Sequence, residues 1–426
     1  MLARIDVRGF VGDLRAALGA SIDVDDDVRA TVAAIIADVR ARGDLAVREY
    51  TARFDGFDGE IRAVERPEIE AALNRIDPQI RAALTFARDQ ILAWHEAQRD
   101  KEARHERSGI RVHELIVPVD RAGCYVPGGH APLISSVLMT AIPARAAGVP
   151  EVVLCSPPRA DGQVDDSMLA AAALAEVDRV YAVGGAQAIA ALAFGTDAIP
   201  AVDVIVGPGN AYVAEAKRQL VGVVGIEGIA GPSEVAVVAD ATADPALVAI
   251  DLLAQAEHGP GGAATVITWD ERVAEQVDLA VEALLAVTPR RAEATATLEA
   301  GGRIVLVDGP AHAIDAANAL APEHLELMCE DAALLVRLVR HAGAVFVGVD
   351  APAVIGDYVA GVNHVLPTGG TARFASALRI SNFQKHIHVV TLDHSTLVRV
   401  APFVGVLADT EGLAAHADAV RLRDEQ

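Results

Sequence analysis

The chain has 426 residues, 52% of them hydrophobic but only 4% aromatic, and a net charge of −23. That length supports two or three domains around a large core of Ala, Val, Leu and Ile. The acidic balance, with no long basic run, excludes nucleic acid and anionic membrane surfaces as expected partners. Cys124, Cys155 and Cys329 are too few and too scattered for a disulfide framework. There is no signal-type block and no apolar run of membrane-spanning length, so a reducing, cytoplasmic setting is expected.

Residues 1–24 read as an N-terminal arm. Asp25 is placed to cap a helix with Val28, Val32, Ile35, Ile36 and Val39 on one face; Gly43 breaks it, and Asp44 opens a second helix through Tyr50. Asp77-Pro78 is a cap followed by proline at the first helical position. The helix it opens carries Ile80, Leu84, Ile91 and Trp94 and is expected to run past residue 100, with 98–108 as a solvated polar face. From Ile110 onward, short apolar runs alternate with helices. Strands are expected at 110–118, 151–155, 179–183, 203–206, 234–238, 265–268, 303–307, 324–328 and 344–347. Helices are expected at 133–147, 168–175, 212–220, 273–285 and 332–341, and from Pro245 to Gly259-Pro260. This βαβ alternation of near-continuous apolar strands predicts an α/β chain with doubly wound parallel sheets. Glycine-rich turns at 123–129 and 230–233 mark a break. Residues 125–232 are expected to form one domain, 25–124 with 233–378 a larger discontinuous one, and 379–426 a small tail with a strand at 387–391 and a short helix.

The helix from Pro245 ends in Gln255-Ala256-Glu257-His258-Gly259. Gln255 and His258 share a face of its last turn beside a forced reversal, which suits a metal or substrate site. The alternative is a capped helix whose His258 covers the last carbonyls. No Gly-x-Gly-x-x-Gly fingerprint is present. Gly184-Gly185-Ala186-Gln187 and Gly207-Pro208-Gly209-Asn210 each follow a strand and precede a helix, where glycine lets backbone N–H groups approach an anion. An ordinary tight turn is the alternative. Gln187 and Asn210 occupy equivalent points of successive units and are candidates to line one sheet edge. Pro322-Glu323-His324 sets an acid beside an imidazole at the start of a strand, as a water-activating carboxylate and a general base require. Strand neighbours face opposite ways, so both reach one site only where the strand start is irregular, which Pro322 permits. Asp357 offers an oxygen to a divalent cation, with His364 seven residues on; Glu411 and His416 offer another acid and imidazole. Each also reads as loop or terminal punctuation. Nothing beside Cys124 or Cys155 marks a nucleophile, so both are expected to be structural.

Taken together and in order, these motifs resemble the histidinol dehydrogenase family over nearly the whole chain. The strings are Arg42-Gly43-Asp44 with Arg53-Phe54-Asp55, Tyr125-Val126-Pro127-Gly128-Gly129, Ala131-Pro132-Leu133, and Ser135-Ser136-Val137-Leu138-Met139. Gly184-Gly185-Ala186-Gln187, Gly207-Pro208-Gly209-Asn210-Ala211-Tyr212-Val213 and Ala230-Gly231-Pro232-Ser233-Glu234 follow. Gln255-Ala256-Glu257-His258-Gly259, Pro322-Glu323-His324-Leu325-Glu326, Gly356-Asp357-Tyr358, and the strings 363–370 and 411–416 complete the set. Glu227 and Gly228 stand where the family pattern leads one to expect an aspartate and a bulkier residue.

The resemblance implies an NAD-dependent oxidoreductase of histidine biosynthesis, using one zinc per subunit to take L-histidinol through L-histidinaldehyde to L-histidine. It implies two Rossmann-like domains with small terminal segments, and a homodimer with shared active sites. By matching positions, Gln255, His258 and Asp357 would bind zinc together with His416 of the partner subunit. His324 would be the general base, and Glu323 would activate the water that attacks the aldehyde. Ser233, Glu411, the catalytic pair and the metal ligands would hold substrate; Tyr125, Gln187 and Asn210 would contact NAD. The alternatives are a related zinc/NAD alcohol dehydrogenase for another small polar alcohol, and a non-catalytic metal-binding protein. The string 366–374 favours histidinol, and the presence of both Glu323 and His324 speaks against the non-catalytic reading.

Overall fold

The computed structural model describes residues 2–18, 26–128, 132–229, 231–259 and 261–424; Asp25, Gly129, Ala131, Ala230 and Pro260 lie outside the described residues. The chain divides into a larger unit, Met1–Gln98 with Asp120–Phe383, and a smaller one, Arg99–Val119 with Gln384–Gln426.

Two six-stranded sheets organise the larger unit. The first runs Ala3–Asp6, Gly302–Leu306, Ala263–Thr268, Glu234–Ala239, His324–Met328, Ala344–Val347, parallel throughout. Its strands are apolar on both faces because both are covered. Along Glu234–Ala239, Val235 and Val237 enter one core with Leu252 and Val277, while Ala236 and Val238 enter another with Ile314 and Leu325. The second sheet runs Ala63–Glu65, Arg179–Ala182, Glu151–Ser156, Arg121–Tyr125, Val204–Val206, Gly225–Ile226. It is parallel except for its first edge strand. Setting aside the strands Ala3–Asp6 and Ala63–Glu65, each sheet has the spatial order third, second, first, fourth, fifth, which is the doubly wound order with a switch point beside its first strand.

Several elements depart from the sequence expectation. The expected glycine turn 123–129 overlaps a strand: Arg121–Tyr125 is the first strand of the second sheet. Gly123 hides the strand signal; a Cβ there would stand 3.1 Å from Val202 and 3.2 Å from Leu192. The arm contributes an edge strand, Ala3–Asp6, to the first sheet. Residues 25–124, expected with the larger domain, place their helices Asp26–Arg42 and Asp44–Asp55 on the second sheet instead. Val32, Ile35, Val39, Ala46 and Val47 share a core with Tyr125, Val153 and Tyr181. Apolar stripes say that a helix is buried, and not against which sheet. The expected helix at 332–341 is an α-turn, Ala332–Leu335, continued by a 3₁₀ turn, Val336–Leu338.

The expected parallel strand 110–118 is antiparallel, and the helix before it stops at Ala97. Ser108 and Gly109 both have positive φ, 56° and 83°, and close a two-residue hairpin between Arg104–Arg107 and Ile110–Pro118. Gln384–Thr391 completes this three-stranded sheet of the smaller unit. Two helices follow, His394–Thr410 and Ala414–Asp424, where one short helix was expected. They pack together, with an ion pair from Arg421 to Asp409. Among the described residues no helix is long and apolar enough to cross a membrane.

The helix Pro245–Ala256 bears Gln255 on the side opposite its solvent face and is anchored by Leu252, which has no exposed surface. Leu252→Ala should lower unfolding stability by about 2–5 kcal/mol through lost burial and a residual cavity. Urea denaturation followed by circular dichroism measures this, and an unchanged midpoint would contradict the packing.

Candidate active site

A cavity of about 750 Å³ in the larger unit is lined by Ser233, Gln255, His258, Glu323, His324 and Asp357, together with Pro208, Gly209, Asn210, Ser136 and His364. The residues come from opposite edges of the two sheets. Gly207-Pro208-Gly209-Asn210 leaves the carboxyl end of Val204–Val206, the usual ligand edge of a doubly wound sheet. Ser233 and the Glu323-His324 pair stand at the amino ends of Glu234–Ala239 and His324–Met328.

Glu323 and His324 are held by the backbone of one residue. The Glu234 N–H donates to Glu323 Oε2 at 2.8 Å, and the Glu234 carbonyl oxygen lies 3.1 Å from His324 Nδ1. A carbonyl can only accept, so Nδ1 carries a hydrogen and Nε2 is left to face the cavity side. Nε2 lies 3.5 Å from Asp357 Oδ1, and Nδ1 lies 3.6 Å from Glu323 Oε2. Upstream, Ala321 adopts a left-handed conformation with φ of 51°, followed by Pro322, so the irregular backbone lies just before the strand. Burial pushes the Glu323 carboxyl up to about 7. Burial opposes charge on His324, but the Asp357 and Glu323 carboxylates outweigh it and push the imidazole up to about 9. Burial would also raise Asp357, but the neighbouring imidazoles, His324 foremost, hold it below the usual carboxylate range.

Gln255 is buried near the end of its helix, with Nε2 unpartnered. His258 lies just beyond the helix, exposed toward the cavity; its Nδ1 is 3.1 Å from the Ala254 carbonyl oxygen, which leaves Nε2 free as a lone-pair donor. Asp357 comes from the short helix Ala353–Tyr358. His364, which its sequence context does not assign to the site, lines the same cavity. Its Nδ1 is 3.0 Å from the Asp357 carbonyl oxygen, and its Nε2 is 3.1 Å from Ser136 Oγ. Burial pushes His364 down, toward the neutral form. The seven-residue spacing from Asp357 was the available signal. Among the described residues no cluster of three or more His, Cys, Asp or Glu side chains is arranged to hold a metal ion.

Not every expected residue reaches this cavity. Asn210 does, but its Oδ1 accepts the Tyr212 and Val213 N–H groups and caps the helix Ala211–Gln219. Tyr125 and Gln187 are buried away from the lining: the Tyr125 hydroxyl accepts the Gly185 N–H at 3.1 Å, and both amide atoms of Gln187 are unpartnered. Glu411 and His416 belong to the smaller unit, where both are exposed. Cys124 and Cys155 are fully buried; burial pushes the Cys124 thiol up to about 12 and raises that of Cys155 as well, which suits inert structural thiols.

A histidinol dehydrogenase family model matches residues 20–424. A histidinol dehydrogenase of Rhizobium meliloti is 47% identical over 417 residues, covering 97% of this chain and 96% of that protein. One from Synechococcus is 48% identical over 399 residues, covering 93% and 92%. The crystal structure of histidinol dehydrogenase from Elizabethkingia anophelis superposes with a TM-score of 0.93 at 34% identity, covering 99% of this chain and 98% of the other. The chain belongs to the histidinol dehydrogenase family. It is therefore an NAD-dependent oxidoreductase with the α/β architecture expected from its sequence.

In this family member, one buried carboxyl is tied to the helix of Asp357. Glu326 Oε1 accepts the Ala353 N–H at 2.6 Å. Burial, together with the Asp251 carboxyl, pushes Glu326 up to about 8, from an ordinary 4.5. The folded chain thus keeps a proton that an unfolded glutamate releases. The resulting stabilisation is complete below pH 4.5 and is lost as pH rises to about 8. Glu326→Gln should flatten the fall of melting temperature across that window; curves parallel to the parent's would contradict the assignment.

Proposed function

We propose that this chain oxidises L-histidinol to L-histidine in two NAD-linked steps, the last reaction of histidine biosynthesis, in a cytoplasmic homodimer. The observation that carries the reading is the single cavity wall that joins Gln255, His258 and Asp357 to the Glu323-His324 pair and to the loop ending in Asn210.

The donor set suits zinc. Zinc takes imidazole nitrogen and carboxylate oxygen, here His258 Nε2 and Asp357. Gln255 adds a buried amide with an unsatisfied nitrogen, and turning the amide over presents its oxygen at the same place. His416 of the partner subunit is the proposed fourth protein ligand, and Glu411 of the partner subunit joins Ser233 in holding substrate. Bound zinc would supply a Lewis-acid template that anchors the substrate through both oxidations.

The chain's own groups carry the proton steps. In its unprotonated form His324, oriented through Nδ1 by the Glu234 carbonyl, would take the proton of the substrate hydroxyl at Nε2, with NAD supplying the acceptor for the hydride of the carbinol carbon. Glu323, oriented by the Glu234 N–H, draws a proton from the water that attacks the aldehyde carbon, and the resulting hydrate gives a second hydride to a second NAD. His364, held neutral by burial, braces Asp357 through its backbone carbonyl. Tyr125, Gln187 and Asn210 are the proposed cofactor contacts.

Zinc-loaded protein given L-histidinol should form two NADH per histidine; no NADH above background would sink the reading, and turnover only of other alcohols would favour a sister dehydrogenase. His324→Ala should lower kcat by about 10²–10⁴-fold with zinc retained. Asn210→Asp keeps a helix-capping oxygen but adds a negative charge. It should raise KM for NAD and leave KM for histidinol near the parent value. A mixture of His258→Ala and His416→Ala chains should recover activity through one intact hybrid site per heterodimer; inactive but well-formed heterodimers would exclude a shared site.

A further inference from the structure

Beneath the loop Gly207–Asn210 lies a buried ion pair that neither the cavity nor the proton steps use. Lys217, on the helix Ala211–Gln219, and Glu227, just past the strand Gly225–Ile226, have side chains only 2% and 5% exposed. Lys217 Nζ reaches Glu227 Oε1 at 2.8 Å, Glu227 Oε2 at 2.7 Å and the Gly207 carbonyl oxygen at 3.1 Å, so all three ammonium donors are engaged. Glu227 Oε1 in turn accepts the Gly207 N–H at 2.7 Å. Both polar backbone groups of one residue are therefore held by a pair of opposite charges.

We propose that the Lys217–Glu227 pair is the positioning device of the cofactor loop, fixing Gly207 so that Pro208, Gly209 and Asn210 stand correctly for NAD. This rests on the reading of that loop as a cofactor contact. Gly207 is where the loop leaves its strand, and its φ of 122° is one that L side chains rarely adopt. A Cβ there would stand 1.9 Å from the Tyr125 carbonyl oxygen, so the loop is pressed directly onto the neighbouring strand. The Tyr125 hydroxyl accepts the Gly185 N–H, so the second glycine turn is registered through the same residue. Burying two charges returns little net stability compared with apolar side chains of similar size. What the pair supplies that apolar groups cannot is a simultaneous hold on an N–H and a C=O. Neither charge lines the cavity, so neither contacts substrate; Lys217 and Glu227 act through the loop.

The test uses full-length, zinc-loaded protein and four variants: Lys217→Met, Glu227→Gln, the double variant, and Asn210→Asp. Each single variant should raise KM for NAD about tenfold or more, with KM for histidinol and bound zinc at the parent level. Each should also melt early, because one buried charge loses its partner. The double variant removes both charges. It should melt close to the parent and still show the raised KM for NAD. If the single variants do not fold, the double variant carries the test alone. A double variant that recovers both melting temperature and NAD affinity would overturn the proposal and leave the pair a matter of charge balance. If Asn210→Asp raises KM for NAD and the double variant does not, the positioning role fails while the cofactor loop stands. If Asn210→Asp leaves KM for NAD unchanged, the reading of the loop itself fails.

Discussion

The site depends on the backbone of Glu234, whose N–H holds Glu323 and whose carbonyl holds His324. An acid and an imidazole adjacent in sequence would ordinarily diverge, because successive side chains on a strand point to opposite faces. Here the pair stands at the strand's entrance, after the left-handed Ala321 and Pro322, and each member bonds the neighbouring strand. The Glu234 side chain extends the same hold, since its Oε1 accepts the Gly369 N–H at 3.0 Å. Parallel register between the two strands is thus what brings an acid and a base to one point.

The second sheet repeats the device with different chemistry. At Gly207 the N–H and the carbonyl are also both taken by side chains, here a carboxylate and an ammonium. In each case a residue at a strand end, whose backbone groups the ladder leaves partly unsatisfied, becomes the anchor for cavity-lining residues. The two anchors lie at opposite ends of their sheets: the carboxyl end of Val204–Val206 and the amino end of Glu234–Ala239. The ligand-edge rule for doubly wound sheets therefore accounts for the loop at Asn210 but not for the acid–base pair. The cavity takes in residues from both ends.

Burial sets the electrostatics of this region. His324 lies 3.6 Å from the Glu323 carboxylate and 3.5 Å from that of Asp357, so the imidazole's charge is coupled to both. Burial pushes Glu323 up, while the carboxylates raise His324 against the cost of burying its charge. His364, facing a serine hydroxyl and a backbone carbonyl, is driven the other way. The environments thus separate two histidines that are alike by sequence.

Much of the fold was legible in the sequence. Strands such as Glu234–Ala239 and helices such as Glu271–Leu285 show in their apolar periods, because burial on two faces or one stripe leaves a local signature. The motifs of the candidate site were legible too: His258 precedes Gly259, the Glu323-His324 pair follows Pro322, and Asp357 follows Gly356. Partners in space were not. Gly123 masked a central strand, Ser108-Gly109 reversed the direction of the next one, and the helices of residues 25–124 joined the sheet that their own periodicity could not name. Sequence by itself determined which side-chain types stand at each motif and where the periodic apolar runs lie, because side-chain type and period are local properties. Tertiary structure alone decided that Glu323 and His324 share one backbone anchor, that His364 faces the same cavity, and that Lys217 and Glu227 meet under Gly207. Those pairings depend on strand register and sheet order, which are set by contacts between segments far apart in the chain.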